Sequence, residues 1–364
     1  MRVLHAAYML SHIPGIVSQM MQEKRAAHEI GLNWTTKIYA NGDENDELFV
    51  KHSNTPKRKL KHRIAYYQWL SDVCWRYDVL LLRYIAADPL QYFFLKKRQV
   101  TTYTVHHTKE VDEVLTARSG NGLLKALVEV WCGRLALKNG SGIVGVTSEI
   151  ATWQHCRAGF PEVPVFTYPN AAPDIPAVAH DARQTPHEVV FVASNLDAPW
   201  HGLDLLLKSL SSCGRSFVLH VVGTASEKLA RMLKSDQRIR YHGAMAATEI
   251  SLVAARCAVG ISGLAQNRRG LQQACTLKVR EYLALGLPAY STYEEMFPEK
   301  FPYYRNGTPD MLSILSFADE VSSVSREEVR AAAWPLIDKR RILSELYSCL
   351  LNGGNQSGPI ATKV

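Results

Sequence analysis

Short apolar runs alternate with longer segments of helical period along most of this 364-residue chain. Residues 3–8, 35–40, 78–84, 100–105, 142–146 and 165–168 are brief and rich in aliphatic side chains, which predicts strands. Helical patterns lie between them at 16–29, closed by Gly31, at 66–76 and at 123–137. A second series begins later, with strands expected at 189–193, 217–222, 238–242, 259–262 and 288–291. Helices are expected there at 203–210 and 276–285, followed by an amphipathic run over 327–351. Strands separated by helices of ten or more residues indicate βαβ units and parallel sheets. Residues 169–186 hold four prolines and little periodicity, as a linker would. The pattern therefore predicts an α/β protein of two doubly wound halves, with ligands outside the carboxyl ends of the strands. Residues 352–364 (NGGNQSGPIATKV) read as a flexible tail.

Charge refines this picture. The net charge is +8, and residues 1–172 hold 21 Lys/Arg against 15 Asp/Glu, so an anionic partner is expected in the first half. Residues 51–63 (KHSNTPKRKLKHR) contain six Lys/Arg and no acid, and Tyr66, Tyr67 and Trp69 follow. Such a stretch fits a solvated face, an anionic lipid surface or a grip on phosphates. Seven scattered cysteines without a C-x-x-C pair suit a reducing compartment, and no apolar run is long enough to span a bilayer. The apolar N-terminus reads as a buried strand and not as a signal peptide.

Four segments carry candidate chemistry. In His12–Ile13–Pro14–Gly15, Gly15 would let a ligand approach the first helix N-terminus. In FVASNLDAPWHGLDLLLKSL (191–210), Trp200, His201 and Gly202 precede a helix at the edge of a strand, where a phosphate would meet backbone N–H groups. In 260–292, Arg268 and Arg269 lie in a loop, and Cys275–Thr276 is placed to cap a helix that carries Lys278 and Glu281. Lys278 and Glu281 share a helix face. A cation there suits a diphosphate, and a carboxylate one turn on suits ribose hydroxyls. In TVHHTKEVDEV (104–114), His106 and His107 end a strand and could meet sugar hydroxyls or move a proton. Adjacent histidines diverge on extended chain and no third ligand is evident, so no metal site is expected.

These residues resemble the retaining GT-B glycosyltransferases of family four. TLKVREYLALGLPAYST looks like that family's donor-site signature, and FVASNLDAPWHGLDLLL looks like the loop that opens its donor domain. PGIVSQMMQEKRAAHEIG resembles its first loop and helix, TYPNAAPD its entry to the linker, and WPLIDKRRILSELYSCLL its helix that crosses back. The resemblance implies two Rossmann-like domains facing a cleft. An acceptor domain would span 1–170 plus the crossing helix 334–351, and a donor domain 171–333. It implies donor contacts from Gly15, Asn195, His201, Arg268, Arg269, Cys275, Thr276, Leu277 and Glu281. Catalytic roles fall to His106, Lys278 and Gln273. Of the family's two glutamates seven apart, the second falls on Glu281 and the first on Gln273, which is neutral. The loop that usually carries Arg and Lys has Ser194 or Asn195 and His201 in their places. The implied activity is transfer of a sugar, with retention, from a nucleotide diphosphate to a glycan or lipid-linked acceptor. It belongs to cell-surface polysaccharide synthesis, in the cytoplasm at the inner membrane face, with no metal or other cofactor. A nucleotide-sugar epimerase on the same architecture is one rival. A nucleic-acid-binding protein is another, but it leaves 276–288 without a role, so no nucleic-acid partner is expected. An anionic membrane is expected to meet residues 51–69.

Overall fold

The computed structural model describes residues 1–40, 47–50, 59–116, 122–173 and 187–353. The chain forms two compact units, Met1–Pro169 with the chain from Lys339, and Asn170–Asp338. Each is built on a six-stranded parallel sheet.

The first unit contains β1 (Val3–Tyr8), α1 (Pro14–Glu29), β2 (Trp34–Tyr39), α2 (Lys59–Val73), β3 (Val79–Arg83), α3 (Pro89–Lys96) and β4 (Thr101–His106). α4 (Glu110–Thr116), α5 (Gly122–Val128), a π-helical turn (Glu129–Gly133), α6 (Arg134–Lys138), β5 (Gly142–Gly145), α7 (Ser148–Ala158) and β6 (Val165–Thr167) follow. The strand order is β2-β1-β3-β4-β5-β6. Leu80, Leu81 and Leu82 of β3 are fully buried, because a central parallel strand is covered on both faces. The chain turns outward in opposite directions from β1 and β3, so the switch point of this sheet lies between them.

The second unit repeats the plan with β7 (His187–Asn195), α8 (Leu203–Ser209), β8 (Phe217–Thr224), α9 (Glu227–Ser235), β9 (Ile239–Gly243) and α10 (Ala247–Ala254). It continues through β10 (Val259–Ile261), α11 (Leu277–Ala284), β11 (Ala289–Ser291), β12 (Tyr304–Asn306), α12 (Met311–Glu320) and α13 (Arg326–Ile337). Its order is β12-β11-β10-β7-β8-β9, which puts the switch point between β7 and β10. Val189, Phe191, Val221, Val259 and Ile261 form the centre of one core layer. Tyr282, Leu283 and Val329 anchor the layer on the opposite face.

The amphipathic run expected over 327–351 is two helices. α13 ends at an extended Asp338, and α14 (Lys339–Leu351) packs on α1 in the first unit. Tyr347 donates to the carbonyl of Met1 (2.7 Å), which ties α14 to the start of the chain. Of the expected linker, residues 174–186 lie outside the described residues, as does 354–364 of the expected tail.

Candidate functional site

In the second unit, the loops after β7 and β10 flank the switch point and lock to each other. Gly202 has φ +70°, a conformation that suits glycine, and a Cβ there would lie 2.8 Å from the Leu264 backbone. The Leu264 N–H donates to the His201 carbonyl (2.9 Å). Arg268 forks onto Asp204 at 2.8 and 2.9 Å and also donates to the Pro199 carbonyl (2.6 Å). Arg268 is thus a brace between the loops, and its hydrogen bonds hold the Asp204 carboxyl below its usual pKa. Arg269 lies over the Trp200 ring, 4.9 Å from its centroid. Asn195 serves its own loop, accepting from the Asp197 N–H (3.1 Å).

Helix α11 starts in this setting. Its apolar residues Val279, Tyr282 and Leu283 face the core, while Lys278 and Glu281 stay half-exposed and pair at 2.8 Å. Gly286 (φ +73°) ends the helix where a Cβ would lie 2.3 Å from the Arg326 carbonyl oxygen, so glycine is required at that turn. His201 is pushed down to about 4 by burial, then by Arg269 and Lys278. Arg269 lies over Trp200, whose ring adjoins His201, so the imidazole stays neutral at pH 7 beside a fixed cation.

Two expectations change in detail. Thr276 is the N-cap residue, but its hydroxyl bonds Tyr293 (2.7 Å) and Ser262 (3.1 Å) and makes no cap bond. Its N–H is taken by Glu295 (3.2 Å). Cys275 is buried, its Sγ accepting from the Asn170 N–H (3.0 Å) while its carbonyl accepts from the Asn170 side chain (2.5 Å). Cys275 is therefore a tether for the start of this unit. Leu277 is half-buried in the first turn of α11. Gln273 bridges Glu294 through the backbone and lines a cavity of about 710 Å³ with Lys300, Tyr304 and Arg305.

Sequence reading missed Arg280 and Glu295. Arg280 is fully buried, ion-paired to Glu295, donating to the Asn170 carbonyl (3.2 Å), and stacked on Phe297. A helical Arg with its charge turned inward has no local signature, because its acid lies fifteen residues away in the sequence.

The first unit gathers its chemistry below the surface. Gly15 is exposed in the first turn of α1, behind Pro14 at the helix start. His106 is fully buried, its Nδ1 on Glu110 (2.7 Å) and its ring 4.5 Å from that of Tyr84. The last residue of β4 thus lies on the packed face, with its Nε2 left without a hydrogen-bond partner among the described residues. His107, one residue on, turns to the other face and is partly exposed. Burial holds its imidazole well below the usual value, followed by Arg83, His5, His106 and Lys339. Beneath that group, Glu23 accepts from His5 (2.7 Å), Trp34 (2.9 Å) and Tyr168 (2.7 Å). Burial alone would raise this carboxyl; His5, Lys339 and Tyr168 bring it down to about 2.

Solved structures share this architecture across nearly the whole chain. A lipopolysaccharide outer core galactosyltransferase, WaaB, in its apo form matches with a TM-score of 0.63 at 12% identity, over 97% of this chain and 99% of that one. A sucrose-phosphate synthase from Thermosynechococcus elongatus matches with 0.65 at 14% identity, over 96% and 100%. HepE from Anabaena, solved in complex with UDP-glucose, matches with 0.62 at 12% identity, over 96% and 99%. The chain has the GT-B glycosyltransferase fold. No protein-family model matches the chain, and no curated protein sequence matches it. Fold likeness at such identities says nothing of chemistry, which must be argued from the site.

Proposed function

We propose that this GT-B chain is a retaining glycosyltransferase that moves a sugar from a nucleoside diphosphate to a glycan or lipid-linked acceptor in cell-surface polysaccharide synthesis. The observation that carries this reading is the grouping of Lys278, Glu281, Arg269 and neutral His201 beside the start of α11, at the switch point of the second sheet. Lys278 and Arg269 with the helix start would meet the diphosphate, and Glu281 the ribose hydroxyls. Because His201 is neutral at pH 7, the fixed positive charge there comes from Lys278 and Arg269.

The step needs no enzyme nucleophile. The acceptor oxygen forms its bond to the anomeric carbon as the bond to the β-phosphate breaks, and the departing diphosphate takes the acceptor's proton. The protein then stabilises negative charge on the leaving group and holds the reactants in register. No metal is required in this reading, since cationic side chains and a helix end neutralise that charge. Gln273, neutral where the family has an acid, would hydrogen-bond the sugar. In the first unit His107 replaces His106 as the candidate contact to a sugar or acceptor hydroxyl. Its Nε2, like that of His106, is buried without a hydrogen-bond partner among the described residues, and of the two rings only that of His107 is partly exposed.

The basic stretch 51–69 supports attraction to an anionic membrane at its cytoplasmic face. Lys59, Lys61 and Arg63 lie in α2, whereas Lys51, Lys57 and Arg58 fall in 51–58, outside the described residues. All seven cysteines are free, which agrees with a reducing compartment. A thermal-shift screen of nucleotide sugars, beginning with UDP-glucose as bound by HepE, tests the donor assignment. A ligand at 100 times its Kd stabilises by about 2.7 kcal/mol. The shift should vanish in Lys278→Ala. A shift of equal size in that variant would remove the site from α11.

A further inference from the structure

The helical run from α5 through the π turn to α6 has its polarity reversed. Its inward positions are Gly122, Ala126, Glu129, Gly133, Ala136 and Leu137, all buried. Its outward positions are Leu123 (75% exposed), Leu124 (64%), Leu127 (56%), Val130 (45%), Trp131 (73%) and Leu135 (41%). A surface helix of a globular protein ordinarily does the opposite. The small inward residues have a packing reason: a Cβ on Gly133 would lie 2.6 Å from Glu129 Oε1 and 2.7 Å from the Tyr84 hydroxyl. Packing gives no reason for leucines and a tryptophan on the outside. They repeat at three- and four-residue spacing, forming one stripe about 18 Å long at 1.5 Å per residue.

The exposed charges on the run itself have one sign, while α4, packed on α5, brings Asp112 and Glu113 partly exposed at its other end. Lys125, Arg134 and Lys138 are exposed, and the run's one acid, Glu129, is buried. Arg134 and Lys138 both approach Gly159, at the left-handed end of α7. α3 packs against α6 on one side and α2 on the other, adding exposed Phe93 with Lys96, Lys97 and Arg98. α2 adds exposed Leu60, between Lys59 and Lys61, and exposed Ile64 next to Arg63. An apolar strip with an aromatic residue, flanked by cations and by no exposed acid of its own, matches a helix lying in the interface of an anionic bilayer.

We infer that the α5–α6 run inserts its Leu123–Leu135 stripe into the headgroup layer of an anionic membrane, a contact that is apolar as well as electrostatic. The inference deepens the membrane reading made from residues 51–69 and does not depend on the donor site. None of the helices of the described residues is long and apolar enough to cross a membrane, so the contact is a surface one.

The test is flotation of the full chain with vesicles of phosphatidylglycerol and phosphatidylcholine, at low salt and at about 1 M, where screening shortens to about 3 Å. Wild type should stay bound at high salt, and Leu123→Ser/Leu127→Ser/Trp131→Ser should bind roughly 30-fold more weakly at either salt, given the apolar area removed. These side chains are more than half exposed, so the variant should keep its circular dichroism and its release of nucleoside diphosphate in solution. Brominated lipid should quench wild-type fluorescence more than that of Trp131→Phe. Equal vesicle binding by the triple variant, or none by wild type, would overturn the inference. So would a dimer that the triple variant converts to a monomer with vesicle binding unchanged, because a second copy would then cover the stripe. Lys59→Ser/Lys61→Ser separates the two membrane readings: unchanged binding at both salts counts against residues 51–69 while leaving insertion intact.

Discussion

Helix α11 and the run from α5 through α6 treat their exposed faces in opposite ways. α11 buries Val279, Tyr282, Leu283 and Ala284 and shows Lys278 and Glu281. The α5–α6 run buries glycine, alanine, Leu137 and one carboxylate and shows the rest of its leucines with valine and tryptophan. Each also hides a single charge, Arg280 on Glu295 and Glu129 on Arg157. The exposed face tells what a helix meets. The buried charge tells how the helix is held, since an unpaired ion at either position would be costly. Polar groups at the start of α11 suit a small anion, and the apolar stripe suits a lipid surface.

The largest effect should come from the hidden charges. Glu129 accepts from Tyr84 (2.8 Å), the Ala87 N–H (2.5 Å) and Arg157 (2.5 Å). Glu129→Gln leaves Arg157 poorly matched, and Arg280→Met leaves Glu295 unpaired. Each should cost about 3–5 kcal/mol. Urea unfolding should show two transitions, with each variant lowering only that of its own unit. A shared loss would mean that the units unfold as one.

Next come the exposed charges of α11. Lys278→Ala should weaken donor binding through the lost diphosphate contact and, even at saturating donor, lower kcat by about 100- to 1,000-fold, the scale of one donor to a developing anion. Glu281→Ala should chiefly raise the donor KM, by about tenfold. Steady-state kinetics on the donor selected by the screen would separate the two, and the reverse assignment would exchange their roles.

Acid should distinguish the units further. Glu23 is held at about 2 against an ordinary 4.5, so its contribution to the first unit is fully present above about 4.5 and is lost as pH falls towards 2. Glu23→Gln should flatten the pH dependence of the first unit's transition in that window. An unchanged profile would show that Glu23 is not held ionised by its partners.

The smallest effect is expected on the outward stripe. Leu124→Gln should change unfolding stability by no more than about 0.5 kcal/mol, because Leu124 is 64% exposed. Leu283→Ala in α11 should cost about 2–5 kcal/mol. A large loss for Leu124→Gln would mean that the stripe is covered within the protein.

The sequence revealed what repeats locally and concealed what converges from a distance. Strand and helix alternation was legible because parallel sheets need apolar strands and crossover helices, and the edges of β1, β7 and β10 were placed closely. Lys278 and Glu281 were legible because their spacing alone puts them on one face. Glu23 could not be read, since His5, Trp34, Tyr168 and Lys339 reach it from four separate elements or loops. His106 was preferred over His107 because a strand end does not disclose which neighbour points inward. The segment 123–137 was read as a helix without a face, as periodicity reports a stripe without saying which side of the helix the protein occupies. Arg268 looked like a phosphate ligand, and Asp204, sixty-four residues away, makes it a brace.

The most direct test of the donor assignment is hydrogen exchange of the full chain with and without a saturating nucleoside diphosphate. Protection is expected in two stretches of the second unit, residues 194–203 and 275–282, and should be lost in Lys278→Ala. Binding that protects neither stretch, or protection that survives Lys278→Ala unchanged, would contradict a donor site at the start of α11.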